Sequence, residues 1–166
     1  MRERKRVKPC RRRGSALVEG PLALLPLLAI LFAVMDLSIA LFVKNMAQFA
    51  VCQGVRYAIT SQTKTGMGQD ASIKAVVKAY TLGFLDCLSP DHIGGNRIAI
   101  TYYDPVSLAA VAGVGSNSGG NIVVVSASGL SWTWMVPLLH NRAPFAFSVS
   151  SAAIMEATPL AGAPAR

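Results

Sequence analysis

The stretch from Pro21 to Val43 reads PLALLPLLAILFAVMDLSIALFV and decides how the chain is organised. Fourteen of its 23 residues are Leu, Ile, Val or Phe, and Asp36 is the single charged residue. A helix needs about 20 apolar residues to cross the hydrocarbon core of a bilayer. The summed apolar contribution outweighs the roughly 2.5–3.5 kcal/mol cost of one aspartate at mid-membrane. We therefore predict a transmembrane helix segment over residues 15–44.

Positive charge is concentrated before this stretch. The 166 residues carry a formal net charge of +8, and residues 1–13 alone contain eight Arg or Lys and one Glu. Because basic flanks stay on the cytoplasmic side of a membrane, residues 1–14 are predicted to be a cytoplasmic leader and the residues after the span to be exported. Basic residues after position 13 are sparse and scattered, which argues against a nucleic-acid-binding face.

A secretory signal peptide is the alternative interpretation of the apolar stretch. Ser38, Ile39 and Ala40 offer small residues at the spacing that signal peptidase recognises. The apolar cores of signal peptides have about 7–15 residues, whereas this one is longer and carries Asp36 just before that site. We favour the membrane span.

Small residues follow one face of the predicted helix. They recur at steps of three or four residues and continue past the membrane segment: Ala29, Ala33, Asp36, Ala40, Val43, Ala47, Ala50, Gly54 and Ala58. Small side chains let helix backbones approach closely in lipid, so this stripe predicts a helix-packing face on a helix that continues to about Thr60. The alternative is that alanine is simply a good helix former.

The exported residues 45–157 are predicted to form a small head. Asp70 is a plausible N-cap for a second helix over residues 71–85. Alternating apolar residues predict strands at 97–103 and 145–149, and a valine-rich run predicts a third strand at 122–128. The expected fold class is therefore α+β: a long N-terminal helix, a second helix and a small antiparallel three-stranded sheet. Residues 158–166 are rich in Ala and Pro and are predicted to be a disordered tail.

Two pairs of residues in the head have alternative interpretations. Trp132 and Trp134 lie in a predicted turn, where they either pack in the core or anchor the head to the membrane surface or to a partner. Cys52 and Cys87 both lie in the exported part, where disulfides are allowed, and we predict that they pair. The alternative is two buried free thiols.

The sequence contains no motif that indicates catalysis. His92 and His140 stand apart from each other, and no Cys-x-x-Cys pair accompanies them. No phosphate-binding loop, dinucleotide fingerprint or nucleophile elbow is found. We expect no metal site, no cofactor and no enzymatic activity.

A family resemblance begins at the end of the basic leader. Gly14 followed by Ser15-Ala16-Leu17-Val18-Glu19, ahead of a long apolar helix, resembles the prepilin peptidase site of type IV pilin-like proteins. Further segments are similar to the TadE-like minor pseudopilins of tight-adherence (Flp-type) pili: residues 24–28, the acid Asp36, residues 53–58 and residues 145–156.

This resemblance implies a site, a location and partners. A membrane prepilin peptidase would cut between Gly14 and Ser15, and Glu19 and Asp36 would act in assembly or recognition. The chain would lie in the bacterial inner membrane, with a periplasmic head, and would contact other pilins, pseudopilins and inner-membrane pilus assembly proteins. The implied function is that of a minor pseudopilin assembling through its N-terminal helix. The alternative is a single-span, exported binding domain that does not polymerise.

Overall fold

The computed structural model describes residues 15–135, 143–156 and 162–166, with side chains from Val18 onward. The predicted leader with Gly14, His140 and residues 158–161 of the predicted tail lie outside the described residues. The elements in chain order are α1 (Ser15–Ile59), α2 (Gln69–Tyr80), α3 (Phe84–Leu88), a 3-10 turn (Gly94–Arg97), β1 (Ile98–Tyr103), β2 (Ala110–Val111), β3 (Ile122–Trp132) and β4 (Phe145–Ile154). The predicted α+β class and long helix are confirmed, and the sheet has four strands where three were predicted.

The sheet is antiparallel throughout and has the strand order β2-β1-β3-β4. The two long strands pair on both sides of one bulge, with Ile122 opposite Ile154 at one end and Trp132 opposite Phe145 at the other. α1 packs on one face of this sheet against β3 and β4, and α2 packs beside α1. The second half of α1 is therefore the central element of the head.

A β-bulge in β3 decides which way the end of that strand faces. The register with β4 shifts between Ala127 and Leu130, and Gly129 adopts a left-handed φ of 69°. Strict alternation after the buried Ala127 would direct residues 129 and 131 toward α1. The extra residue of the bulge shifts that pattern, so Leu130 is fully buried and Trp132 packs against the core.

Small residues on α1 allow the helix to lie close to its neighbours in the head. Ala47, Ala50 and Ala58 are at most 2% exposed and belong to the hydrophobic core. At Gly54 an added β-carbon would collide with the side chain of Val77 on α2. The close approach of α1 and α2 therefore requires glycine at this position.

The second helix differs from its prediction at both ends. α2 begins at Gln69 after Gly68, and Asp70 lies in its first turn instead of capping it. α2 ends at Tyr80 because Leu82 and Gly83 adopt left-handed φ angles of 50° and 83°, and the separate short helix α3 follows. The predicted single helix over residues 71–85 is therefore two helices joined by a tight turn.

Asp86 ties α3 to the elements on either side of it. Its carboxylate accepts a hydrogen bond from the backbone N–H of Gly94 at 2.7 Å and lies 3.2 Å from Lys78 Nζ on α2. These two contacts, the backbone donor first, hold the pKa of Asp86 below its usual value.

Candidate functional site

The long helix consists of an uncovered part and a covered part. From Val18 to Met35 nearly every side chain is exposed, although most are large and apolar. These 18 residues extend about 27 Å at 1.5 Å per residue. A hydrocarbon core is about 30 Å thick, so this segment alone matches a bilayer. Within the described ranges, α1 is the one helix long and apolar enough to cross a membrane.

The head begins to cover α1 at Asp36, nearer the N-terminus than the predicted boundary at residue 44. Asp36, Ala40 and Val43 are all at most 4% exposed. From Asp36 onward, the small residues of the predicted helix-packing stripe pack against α2 and the sheet of the same chain. Only Ala29 and Ala33 of the stripe lie on the uncovered part.

Asp36 has an intrachain partner that the sequence did not reveal. The indole N–H of Trp132, at the end of β3, donates to Asp36 Oδ1 over 3.2 Å. A carboxylate at the edge of an apolar layer needs such a donor because burial without one costs several kcal/mol. The Asp36 carboxylate therefore joins α1 to β3 inside the head, and its role in assembly or recognition stays a prediction.

More aromatic side chains lie beside this hydrogen bond. The ring of Trp134 is 6.2 Å from that of Phe145, which is 5.8 Å from that of Phe147. The Trp134 indole also donates to the carbonyl of Ala143. These side chains are half-buried and lie where the uncovered part of α1 enters the head. Tryptophan and other aromatic rings are enriched at that depth in membrane proteins.

The predicted cleavage and assembly residues lie at the opposite end of the uncovered segment. Gly14 is outside the described residues, and α1 begins at Ser15. Glu19 is exposed on α1, about 26 Å along the helix axis from Asp36. The structure therefore does not bring the two acids together: Glu19 and Asp36 lie near opposite ends of the uncovered apolar segment.

The predicted disulfide between Cys52 and Cys87 is not formed in the structure. The Cys52 thiol on α1 points toward β4, with its sulfur 3.7 Å from Ser151 Oγ and 3.8 Å from Gln48 Nε2. Cys87 is exposed on α3, which packs against β3 and the 3-10 turn. The two thiols therefore belong to different surroundings, and only Cys52 is partly buried.

Within the described residues, the structure combines one helix that is long and apolar enough to cross a membrane with a small α+β head that continues from it without a break. The comparison with known families agrees with the resemblance in the sequence: the model of the TadE-like protein family matches residues 14–56. The matched residues begin at the predicted cleavage site and cover α1 almost to its end. No curated protein and no solved structure matches the chain significantly.

Proposed function

We propose that the chain is a minor pseudopilin of a tight-adherence (Flp-type) pilus and secretion system. The family match over residues 14–56 carries this proposal, because it includes the cleavage motif, Glu19 and the whole uncovered part of α1. The proposed location is the bacterial inner membrane, with the N-terminus in the cytoplasm and the head in the periplasm. The proposed role is non-enzymatic and requires neither metal nor cofactor.

The division of α1 limits where a neighbouring pilin can bind closely. From Asp36 onward the head occupies one face of the helix, whereas residues 18–35 are uncovered. In lipid, helices associate by close packing and by polar contacts between them. The proposed assembly surface is therefore the uncovered part of α1, with Ala29 and Ala33 as its small residues.

Glu19 supplies the polar contact in this proposal. Cleavage after Gly14 would give Ser15 a new α-amino group, four residues before Glu19. An ionised carboxylate in an apolar layer is costly unless it has a partner of opposite charge. We propose that Glu19 pairs with the amine of a neighbouring subunit and so fixes the axial register between their helices.

The test is the substitution Glu19→Gln in cells that contain the complete pilus system. This change keeps the shape of the side chain and removes its charge. We expect the variant to insert in the membrane and to be cleaved at least in part, but to lose co-purification with partner pilins and to lose adherence. Glu156→Gln is the matched control, since Glu156 is an exposed acid at the far end of the head.

The outcomes separate the proposal from the alternative function. Wild-type assembly by a fully expressed Glu19→Gln variant would overturn the proposed pairing and favour a membrane-anchored binding domain that does not polymerise. If both variants lost co-purification and adherence equally, assembly would be generally sensitive to surface charge. That result would also contradict a specific role for Glu19.

A further inference from the structure

The end of the head farthest from the uncovered segment contains a cleft of about 940 Å³. It lies between the start of α2 and the loop 113–118, and residues 163–166 form part of its wall by occupying a groove beside it. Gln69 connects it to the end of α1, because its side-chain amide donates to the carbonyl of Ala58 at 3.2 Å. The cleft is therefore about 33 Å along α1 from Asp36.

Residues 164–166 are held through their backbone carbonyls. The backbone N–H of Gln69 donates to the carbonyl of Ala165 at 2.7 Å, and Asn117 Nδ2 donates to the carbonyl of Pro164 at 2.8 Å. Asn117 also donates to the side-chain oxygen of Gln69. Both amide side chains are at most 1% exposed. Buried polar groups aligned on the backbone of an extended segment are typical of a peptide-binding site.

One side chain of the segment is also recognised. The Arg166 guanidinium lies 2.8 Å from Asp70 Oδ2, donates to Ser116 Oγ at 2.8 Å and stacks 4.8 Å from the centre of the Tyr102 ring. Tyr102 donates its hydroxyl to the other oxygen of Asp70. Carboxylate, hydroxyl and aromatic ring together provide the contacts that a guanidinium prefers.

Glycine at position 68 makes room for the segment. A β-carbon there would lie 2.5 Å from the carbonyl carbon of Arg166 and 3.3 Å from the carbonyl oxygen of Ala165. The backbone of Gly68 has φ −69° and ψ 166°, which any residue can adopt. The structure therefore explains glycine at position 68 by the close approach of Ala165 and Arg166.

We propose that the groove beside this distal cleft, occupied within the chain by residues 162–166, is a binding site for an extended, arginine-bearing peptide, namely the same segment of a second copy. The disorder of residues 158–166 stays a prediction, and in the structure residues 164–166 make the contacts described above. The site is remote from the uncovered part of α1, so peptide binding here is independent of assembly through the helix. Exchange of an identical segment between copies is an established route to association.

The test uses the chain purified in detergent and a fluorescent synthetic peptide of residues 162–166. In a chain ending at residue 161 the groove of residues 162–166 is empty, and this chain is expected to bind the peptide, measured by fluorescence anisotropy. The complete chain should bind at least tenfold more weakly, because its own segment competes at a high effective concentration. A peptide with Arg166→Ala should bind the shortened chain at least tenfold more weakly.

Two substitutions complete the experiment. In the shortened chain, Gly68→Ala should abolish binding by filling the space of the peptide backbone. Gly95→Ala is the matched control and should leave binding unchanged, since its β-carbon would meet only Lys78 at 3.8 Å.

A folded shortened chain that binds no peptide, or binds both peptides equally, would overturn the proposal. If the shortened chain does not fold, the complete chain with Arg166→Ala replaces it in the experiment. This variant is expected to bind the wild-type peptide, and absence of binding would overturn the proposal.

Discussion

Replacing Trp132 with phenylalanine tests whether Asp36 joins the long helix to the sheet. The substitution keeps an aromatic ring against the core but removes the N–H that donates to Asp36 Oδ1 at 3.2 Å. A hydrogen bond to a charged group contributes about 1.5–3 kcal/mol, and the acceptor here is 4% exposed, so water replaces the donor poorly. We expect the free energy of unfolding of the head to fall by about 2 kcal/mol, or Tm by roughly 8 °C.

The assay is thermal unfolding of the detergent-purified protein, followed by circular dichroism of the head. Trp134→Phe is the control, because it makes the same chemical change where the indole donates to the backbone carbonyl of Ala143. Trp134→Phe should lower the free energy of unfolding by about 1 kcal/mol or less. A double-mutant cycle with Asp36→Ala should give a coupling of about 1 kcal/mol or more for Trp132→Phe. Equal costs for the two tryptophan substitutions, or additive effects in the cycle, would refute the reasoning.

Three further predictions concern the leader, the helix contact and a surface carboxylate. Intact-mass analysis of membrane-extracted protein should show loss of residues 1–14; a mature protein that retains them in cells with active prepilin peptidase would contradict cleavage after Gly14. Gly54→Ala should lower the free energy of unfolding by about 1–2 kcal/mol, because the added methyl group overpacks against Val77. Gly20→Ala is the control, since open space surrounds Gly20, and it should not lower the free energy of unfolding. Thermal melts measure both effects. Because the folded pKa of Asp86 is depressed, its stabilisation is present above pH 3.8 and lost as the pH falls below it. Asp86→Asn should therefore flatten the acid side of a Tm–pH profile, and an unchanged slope would count against that linkage.

The long helix and the strand positions follow directly from residue patterns. An unbroken apolar run and a three-to-four residue period define α1, alternation locates β1 and the start of β4, and a valine-rich run locates the start of β3. These signals are local, so a single sequence contains them. The split between α2 and α3 was missed because Leu82, an unusual residue for a left-handed φ, gives no warning of a turn.

Long-range contacts account for what the sequence did not reveal. In the sequence, Gly129 is typical of the end of a strand. In the structure it forms a bulge that directs Trp132 toward Asp36, 96 positions away in the chain. The last residues have the composition of a disordered tail, but Asn117 and Gln69 fix them from distant segments. The sequence contains one feature related to the hydrogen bond of Asp36, namely a tryptophan that follows a glycine in a β-rich stretch. This feature does not specify which residue the tryptophan contacts.

The continuous helix α1 from Ser15 to Ile59 connects the proposed membrane segment to the head without a hinge. No loop lies between Met35 and Asp36 to absorb rotation, and the contact of Trp132 with Asp36 braces the helix where it enters the head. About 35 Å of helix separates Asp36 from Ile59, so a 10° change in the tilt of the proposed span would swing the distal end by about 6 Å. The distal end of the head therefore moves with the helix, and its position depends on the tilt of the helix.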